Sequence, residues 1–276
     1  MQEKKAWRRI MIKIKESIIG EGIPKICVPI VEKTQEAILD QAQEIVSESV
    51  DIVEWRLDFY DDVHDIDCVI QTADLLQSIL GKTVLLLTFR TKKEGGQKDI
   101  SLEEYKRLLL AVAKSGKTDM IDVEAFRGYD VSEQKETFSV DDTENEAIRS
   151  LINELSGNVR VIGSYHDFEK TPTKEEMIQR LLFIDQMGAD IPKMAVMPHN
   201  GQNVLDLMQA TLLAKEKTGT KPLITMAMGD LGKITRIAGI SFGSAVTFGC
   251  LGKASAPGQI EVENLRKTLS LLGKEE

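Results

Sequence analysis

Disulfide chemistry has little to work with in this chain. Three cysteines, Cys27, Cys68 and Cys250, are scattered through 276 residues. Their odd number and wide spacing exclude a disulfide framework and a cysteine-based metal site, and they read as free buried thiols. Aromatic residues make up only 5% and prolines number seven. No segment is of low complexity, and the 42% apolar and 29% charged residues are those of a globular rather than a disordered chain. No apolar run is long enough to span a bilayer, and the Lys- and Arg-rich start lacks the apolar stretch of a secretory signal, so the expected location is the cytoplasm. Basic residues are outnumbered 35 to 44, for a formal charge of -9. That balance argues against nucleic acid or an anionic membrane as partner, and a small anionic ligand would need arginines gathered locally to overcome it.

What the chain does have is rhythm. Residues 1–24 carry a strand-like alternation, with Ile10, Ile12 and Ile14 separated by Met11 and Lys13, ahead of Gly20 and Gly22. They read as a small hairpin or cap without chemistry of its own. From Lys25 onward, short apolar strands alternate with amphipathic helical segments. Strands are expected at Lys25 to Pro29, Ile52 to Leu57, Thr83 to Phe89, Met120 to Glu124, Val159 to Tyr165, Ile191 to Met197, Leu223 to Met228 and Ala245 to Phe248. Helices are expected at Gln35 to Ser47, Ile66 to Leu80, Leu102 to Lys114, Thr143 to Leu155, Lys174 to Met187, Val204 to Lys217, near Ile234, and at Val262 to Leu272. Parallel strands need crossover helices and about eight of them close a sheet on itself, so residues 25–276 read as an α/β protein, a single (β/α)8 TIM barrel. The alternative, a doubly wound open sheet, lacks its glycine-rich dinucleotide turn: Val28-Pro29-Ile30-Val31-Glu32 contains no glycine. The longest connection, Phe126 to Asp142, is acidic and polar and reads as a surface loop.

Period-two alternation separates the side chains that face the helices from those that face the barrel axis. Val53, Trp55 and Leu57 form one face of their strand and Glu54, Arg56 and Asp58 the other. The same division sends Thr88 and Arg90, then Asp122 and Glu124, then Ser164 and His166 inward. A charge at a strand end ordinarily faces solvent. Successive strands delivering ionisable groups to one interior are harder to dismiss, because unpaired buried charge is costly.

Lys193 lies in Ile191-Pro192-Lys193-Met194-Ala195-Val196-Met197-Pro198 and shares its face with Ala195 and Met197. Apolar surroundings would favour the neutral amine, which suits a nucleophile for carbonyls; alternatively the side chain snorkels to solvent. Barrel chemistry gathers at the C-terminal ends of strands, and Lys193 sits early in its own. Either that strand starts nearer Gly188 or the long side chain reaches toward the mouth. His166, one of three histidines with His64 and His199, is either a general acid/base at the end of a βα unit or a structural histidine. Ser164, Tyr165 and His166 are not spaced as an acyl-transfer triad, and one histidine with dispersed carboxylates is no metal signature. Glu94, in Thr91-Lys92-Lys93-Glu94-Gly95-Gly96-Gln97, either orients a histidine or belongs to a solvated turn. The small residues and hydroxyls of 226–236, 243–249 and 254–259, with Arg236 among them, fit an anion-binding mouth or a set of tight turns.

Together the motifs Glu54-Trp55-Arg56-Leu57-Asp58, Thr88-Phe89-Arg90 with Glu94-Gly95-Gly96, Ser164-Tyr165-His166-Asp167-Phe168, Pro192-Lys193-Met194-Ala195 and Ser255-Ala256-Pro257-Gly258-Gln259 resemble those of type I 3-dehydroquinate dehydratases, lyases of the shikimate pathway. The resemblance runs from about Lys25 to the C-terminus. It implies a (β/α)8 barrel, a cytoplasmic homodimer, no metal and no organic cofactor. By the same resemblance Lys193 matches a Schiff-base lysine, His166 the catalytic histidine and Glu94 its supporting carboxylate. Arg236 would bind the substrate carboxylate, while Glu54, Arg56, Arg90, Ser255 and Gln259 match substrate-contacting positions. Thr235, where serine is common, and Ile240, where an acidic residue is common, depart from the pattern. A Schiff-base aldolase on the same barrel, or a binding barrel without catalysis, would share many of these features.

Overall fold

The computed structural model describes residues 10–127, 143–219 and 221–273. Two antiparallel strands, β1 (Ile12–Ile14) and β2 (Ser17–Ile19), make a hairpin. The parallel strands that follow are β3 (Lys25–Ile30), β4 (Ile52–Arg56), β5 (Val84–Thr88), β6 (Met120–Glu124), β7 (Arg160–Asp167), β8 (Ile191–Val196), β9 (Ile224–Ala227) and β10 (Val246–Cys250). From β3 to β9 each strand pairs with the next, and β10 returns to pair with β3. Between β9 and β10 the ring is drawn together by Ala245 N–H donating to Leu223 O at 2.7 Å and by Ser244 Oγ, which accepts from Thr225 N at 3.1 Å. The result is the expected curled barrel, and the open sheet is set aside. A short ninth strand, β11 (Ile260–Glu261), lies beside the end of β10.

Around the strands run α1 (Gln35–Ser47), α2 (Ile66–Leu80), α3 (Leu102–Ser115), α4 (Thr143–Leu155), α5 (Lys174–Gln186), α6 (Gly201–Lys217), α7 (Gly229–Ile237), α8 (Gly239–Phe242) and α9 (Val262–Leu272). Local chemistry starts them: Ser101 with Glu104 and Thr173 with Glu176 form reciprocal capping boxes at α3 and α5, satisfying backbone N–H groups that a helix start leaves open. Asn200 caps α6 through Asn203 N–H, so that helix begins at Gly201, ahead of the expected Val204. The short α8 and β11 were not expected, being too brief to show a period. The Phe126 to Asp142 loop lies mostly outside the described residues, from position 128 onward.

The barrel has two apolar bodies. Val53, Trp55 and Leu57 of one strand segment and Leu85, Leu87 and Phe89 of the next belong to the layer between sheet and helices. Ile52, Leu86, Met120, Ile162, Ile191 and Ile224 point inward and form a floor, which Ile12, Ile14 and Ile19 of the hairpin cover from below. Two residues further along the same strands stand Glu54, Thr88, Asp122, Ser164, Lys193 and Met226. Alternation therefore carries the chain from an apolar floor to a polar tier in one step, toward the C-terminal ends of the strands.

Leu87 is fully buried in the outer layer. Leu87→Ala should lower unfolding free energy by about 2–5 kcal/mol in urea titration; a loss below about 1 kcal/mol would contradict the packing described.

Candidate functional site

The polar tier opens into a cavity at the C-terminal ends of the strands, lined by every site residue expected from the sequence: Glu54, Arg56, Arg90, Glu94, His166, Lys193, Arg236, Ser255 and Gln259.

Lys193 is held inside the barrel. Its strand begins at Ile191, with Lys193 in register between Ser164 of β7 and Ile224 of β9. The question of how an early strand residue reaches the mouth is thus settled by the length of its side chain, which does not snorkel to solvent. The expected apolar setting is corrected: Nζ donates to Asp122 Oδ2 at 3.0 Å and lies 3.8 Å from Glu54 Oε1. The ring of Phe248 covers it, 4.6 Å away. Glu54 also accepts from Thr88 Oγ1 at 2.8 Å.

Arg90 sits at the centre of the charges. It donates to Asp122 at 2.6 Å, Glu124 at 3.2 Å, Glu94 at 3.3 Å and Ser164 Oγ at 3.0 Å. Burial opposes its charge, but the surrounding carboxylates hold it protonated beyond the usual range. Burial likewise opposes ionisation of Asp122, yet Arg90, Lys193 and a hydrogen bond from Ser164 hold its carboxyl at about 2. Arg56 is engaged too, in a two-pronged pair with Asp58 at 2.7 and 2.8 Å. Both arginines line the cavity with their guanidiniums already on carboxylates.

Arg236 differs. It is 1% exposed, and its donors reach only Pro257 O at 3.0 Å, Phe248 O at 3.3 Å and Met226 Sδ at 3.6 Å. No carboxylate lies within ion-pairing distance among the described residues, and its Nε has no hydrogen-bond partner. Burial draws its pKa down to about 10. A buried guanidinium without an acidic partner is the complement of an anionic ligand.

His166 lies inside the cavity because β7 runs to Asp167, two residues beyond the expected end. Its Nδ1 meets Glu94 Oε2 at 2.9 Å. The same oxygen accepts from Arg90; an ionised Glu94 there can only accept from an Nδ1–H, the tautomer that leaves the lone pair on Nε2. Burial, reinforced by the positive charges of Arg90, Lys193 and Arg56, pushes its pKa well below 6.5. Burial and the neighbouring Glu124 carboxylate push Glu94 well above 4.5.

Glu94 is delivered by a single 3-10 turn, Lys92–Glu94. Gly95 follows with φ +86°, and a Cβ there would strike the Phe168 ring at 2.3 Å; one on Gly96 would fall 1.8 Å from Arg90 O. The turn is exposed at Lys92, Lys93, Gly95 and Gln97, with only Thr91 and Glu94 buried, but the two glycines seat its backbone closely against Phe168 and Arg90. On the far side Gln259 Nε2 donates to Ser255 Oγ at 3.0 Å and its Oε1 accepts Ser255 N–H at 2.7 Å.

Phe168, Met226, Met228, Ala256 and Phe248 also line the cavity and were not picked out as candidates. Apolar residues inside a barrel carry no chemical signature in sequence. Of the departures, Thr235 accepts Ala227 N–H and donates to Gly232 O, whereas Ile240 is 38% exposed in α8. A Gly-x-Ser-x-Gly string does occur, at 239–243. It forms α8 with Ser241 exposed outside the cavity, and so is no nucleophile elbow.

The class is thereby defined: a (β/α)8 barrel whose strand ends gather a buried lysine, a carboxylate-backed histidine and an arginine open to an anion. Comparison with known proteins narrows it. The family model of type I 3-dehydroquinase matches residues 26–276. A 3-dehydroquinate dehydratase of Clostridium kluyveri is 45% identical over 95% of this chain and 97% of its own, and that of Listeria monocytogenes serotype 4a 44% identical over 95% and 98%. Among solved structures, the type I 3-dehydroquinate dehydratase of Clostridium difficile, with covalent modified comenic acid, superimposes with a TM-score of 0.86 at 40% identity, covering 96% of this chain and 98% of that one. The Geobacillus kaustophilus 3-dehydroquinate dehydratase gives 0.86 at 37% identity, with coverage of 95% and 96%. The chain belongs to the type I 3-dehydroquinase family.

A depressed His166 pKa means that the unfolded chain takes up a proton which the folded site refuses. This group therefore contributes stability above pH about 6.5 that is lost as the pH falls toward its folded value. NMR of His166, identified by its disappearance in His166→Gln, should show a neutral imidazole at pH 6.5; a midpoint at or above 6.5 would contradict the electrostatics.

Proposed function

We propose that this protein dehydrates 3-dehydroquinate to 3-dehydroshikimate through a Schiff base on Lys193, with His166 as general acid and base. The observation that carries the reading is the convergence, in one cavity, of the buried Lys193 amine, the Glu94-backed His166 and the acid-free Arg236. Family membership supports the substrate, and the covalent modified comenic acid of the Clostridium difficile relative supports covalent chemistry in this family.

Lys193, ion-paired with Asp122, gives up one proton as its nitrogen attacks the C3 ketone; the resulting carbinolamine loses the former ketone oxygen as water, which carries that proton away, and a protonated imine remains. That group withdraws electrons and acidifies the C2 hydrogen. His166 Nε2 removes the C2 proton, and the electron pair left behind forms an enamine. The enamine then expels the C1 hydroxyl, which leaves as water with a proton returned by His166. Hydrolysis of the imine frees the lysine and the product. A neutral imidazole suits the first of these proton transfers, and Glu94 on Nδ1 keeps Nε2 as the acceptor. Arg236 binds the carboxylate and so aims C2 at His166; orienting reactants in this way is worth up to about 7–11 kcal/mol in the most favourable cases. Asp122 and Glu54 stand ready to stabilise the iminium charge at Nζ.

Glu54, Arg56, Arg90, Ser255 and Gln259 are proposed as contacts for the rest of the ring, with the Arg90 contribution largely indirect because its donors are occupied. A homodimer, a cytoplasmic setting, and a division into a cap (residues 1–24) and a catalytic barrel (residues 25–276) belong to the same proposal. None of the helices among the described residues is long and apolar enough to cross a membrane.

The purified protein should convert dehydroquinate to a product with enone absorbance and leave sugar phosphates uncleaved. Stabilisation by dehydroquinate without turnover would instead favour a binding barrel, and C–C cleavage an aldolase. Arg236→Gln should cut kcat/KM at least about tenfold, as expected for a lost charged hydrogen bond of about 1.5–3 kcal/mol. His166→Ala should lower kcat by about 100-fold or more; near-normal turnover would remove His166 from the mechanism.

A further inference from the structure

The loop that delivers Glu94 is held at both ends by carboxylates that the mechanism above does not use. At its start, Thr91 donates twice to Glu124, from its backbone N–H at 2.8 Å and from Oγ1 at 2.9 Å. At its finish, Gln97 N–H donates to Asp58 at 3.0 Å, and Asp58 also accepts Arg90 N–H at 3.3 Å. Glu124 is 1% exposed and Asp58 fully buried, and neither lines the cavity. They come from different strands, Glu124 ending β6 and Asp58 lying two residues past β4. Between the two clamps the loop turns on itself through Glu94 N–H and Gly96 N–H, both donating to Thr91 O, at 3.0 and 2.8 Å. The missing Cβ of Gly96 lets it lie against Arg90 O, and Phe168 closes over Gly95.

We infer that Glu124 and Asp58 are positioning residues, which fix the Thr91–Gln97 loop so that Glu94 Oε2 meets His166 Nδ1 and holds the imidazole in its base-competent tautomer. The inference rests on the function proposed above and adds to it the residues that keep its acid/base pair aligned. Three features support it. Both clamps use backbone N–H groups, so they fix the path of the chain and not merely a side chain. Glu124 and Glu94 share Arg90 Nη1, at 3.2 and 3.3 Å, which ties the clamp to the carboxylate it positions. Finally, a carboxylate suits the Glu124 site as an amide would not: it faces the donors of Thr91 and Arg90 together, with Arg127 Nη1 also at 3.6 Å, and an amide NH2 would oppose one of them.

Glu124→Gln and Thr91→Val, the latter deleting one hydroxyl at constant shape, test the clamp on the whole protein. Dehydroquinate turnover should lose about 10- to 100-fold in kcat, by analogy with the loss when the supporting partners of metal-bound histidines are removed, with KM within about threefold. The His166 resonances should move as well. Glu94 faces Arg90, Glu124, Asp122 and His166, while His166 faces Arg90, Lys193, Arg56 and Glu94. Removing the Glu124 charge leaves Glu94 more readily ionised, so the His166 midpoint should rise in Glu124→Gln. Folding is checked by circular dichroism; if Glu124→Gln does not fold, Thr91→Val decides. Folded variants with wild-type kcat and unmoved His166 resonances would overturn the inference. A wild-type protein inactive on dehydroquinate would instead overturn the proposed function, and the clamp would then stand or fall on whether the His166 resonances move.

Discussion

A guanidinium buried against four acceptors is the constraint on which this molecule turns. Arg90 is 3% exposed, in a barrel interior whose floor is apolar. Leaving such a charge without partners costs several kcal/mol, on the order of 3–5 when one member of a buried pair is lost. Its partners cannot come from one segment. Asp122 and Glu124 arrive on β6, Ser164 on β7 and Glu94 on the loop after β5, so the network is complete only when the strands are side by side in register. The same register that closes the barrel satisfies the arginine.

The chemistry grows out of this arrangement. Asp122, ionised by Arg90, offers its second oxygen to Lys193 and so fixes the amine over the floor. Glu94, bound to Arg90 through Oε2, offers that oxygen to His166 and so fixes the tautomer. One cation thereby orients both members of the proposed acid/base and nucleophile pair, each through a different carboxylate. Arg236 stands apart from the network: among the described residues no carboxylate lies within ion-pairing distance, and its Nε has no hydrogen-bond partner, which suits the anion-binding role proposed for it.

Much of this was legible in the sequence because period two is a strong signal. Alternation in Val53-Glu54-Trp55-Arg56-Leu57-Asp58 and in Ile121-Asp122-Val123-Glu124 separated core from interior correctly, and strand–helix alternation gave the barrel. What alternation does not give is distance across the barrel. That Asp122 meets Lys193, seventy-one positions away in the chain, depends on the stagger of the strands, so Lys193 read as an amine in apolar surroundings when it is an ion-paired one. Loops hid the rest: Glu94 is picked out by its motif, but it lies on a single 3-10 turn without periodicity, and its clamp by Asp58 and Glu124 is visible only in three dimensions.

The account stands or falls on the amine of Lys193. Incubating the protein with dehydroquinate, reducing with borohydride and mapping peptides by mass spectrometry tests it most directly. The account predicts one stable adduct, on Lys193, and none in Lys193→Met; an adduct on any other residue, or no adduct from a protein that turns the substrate over, would contradict it.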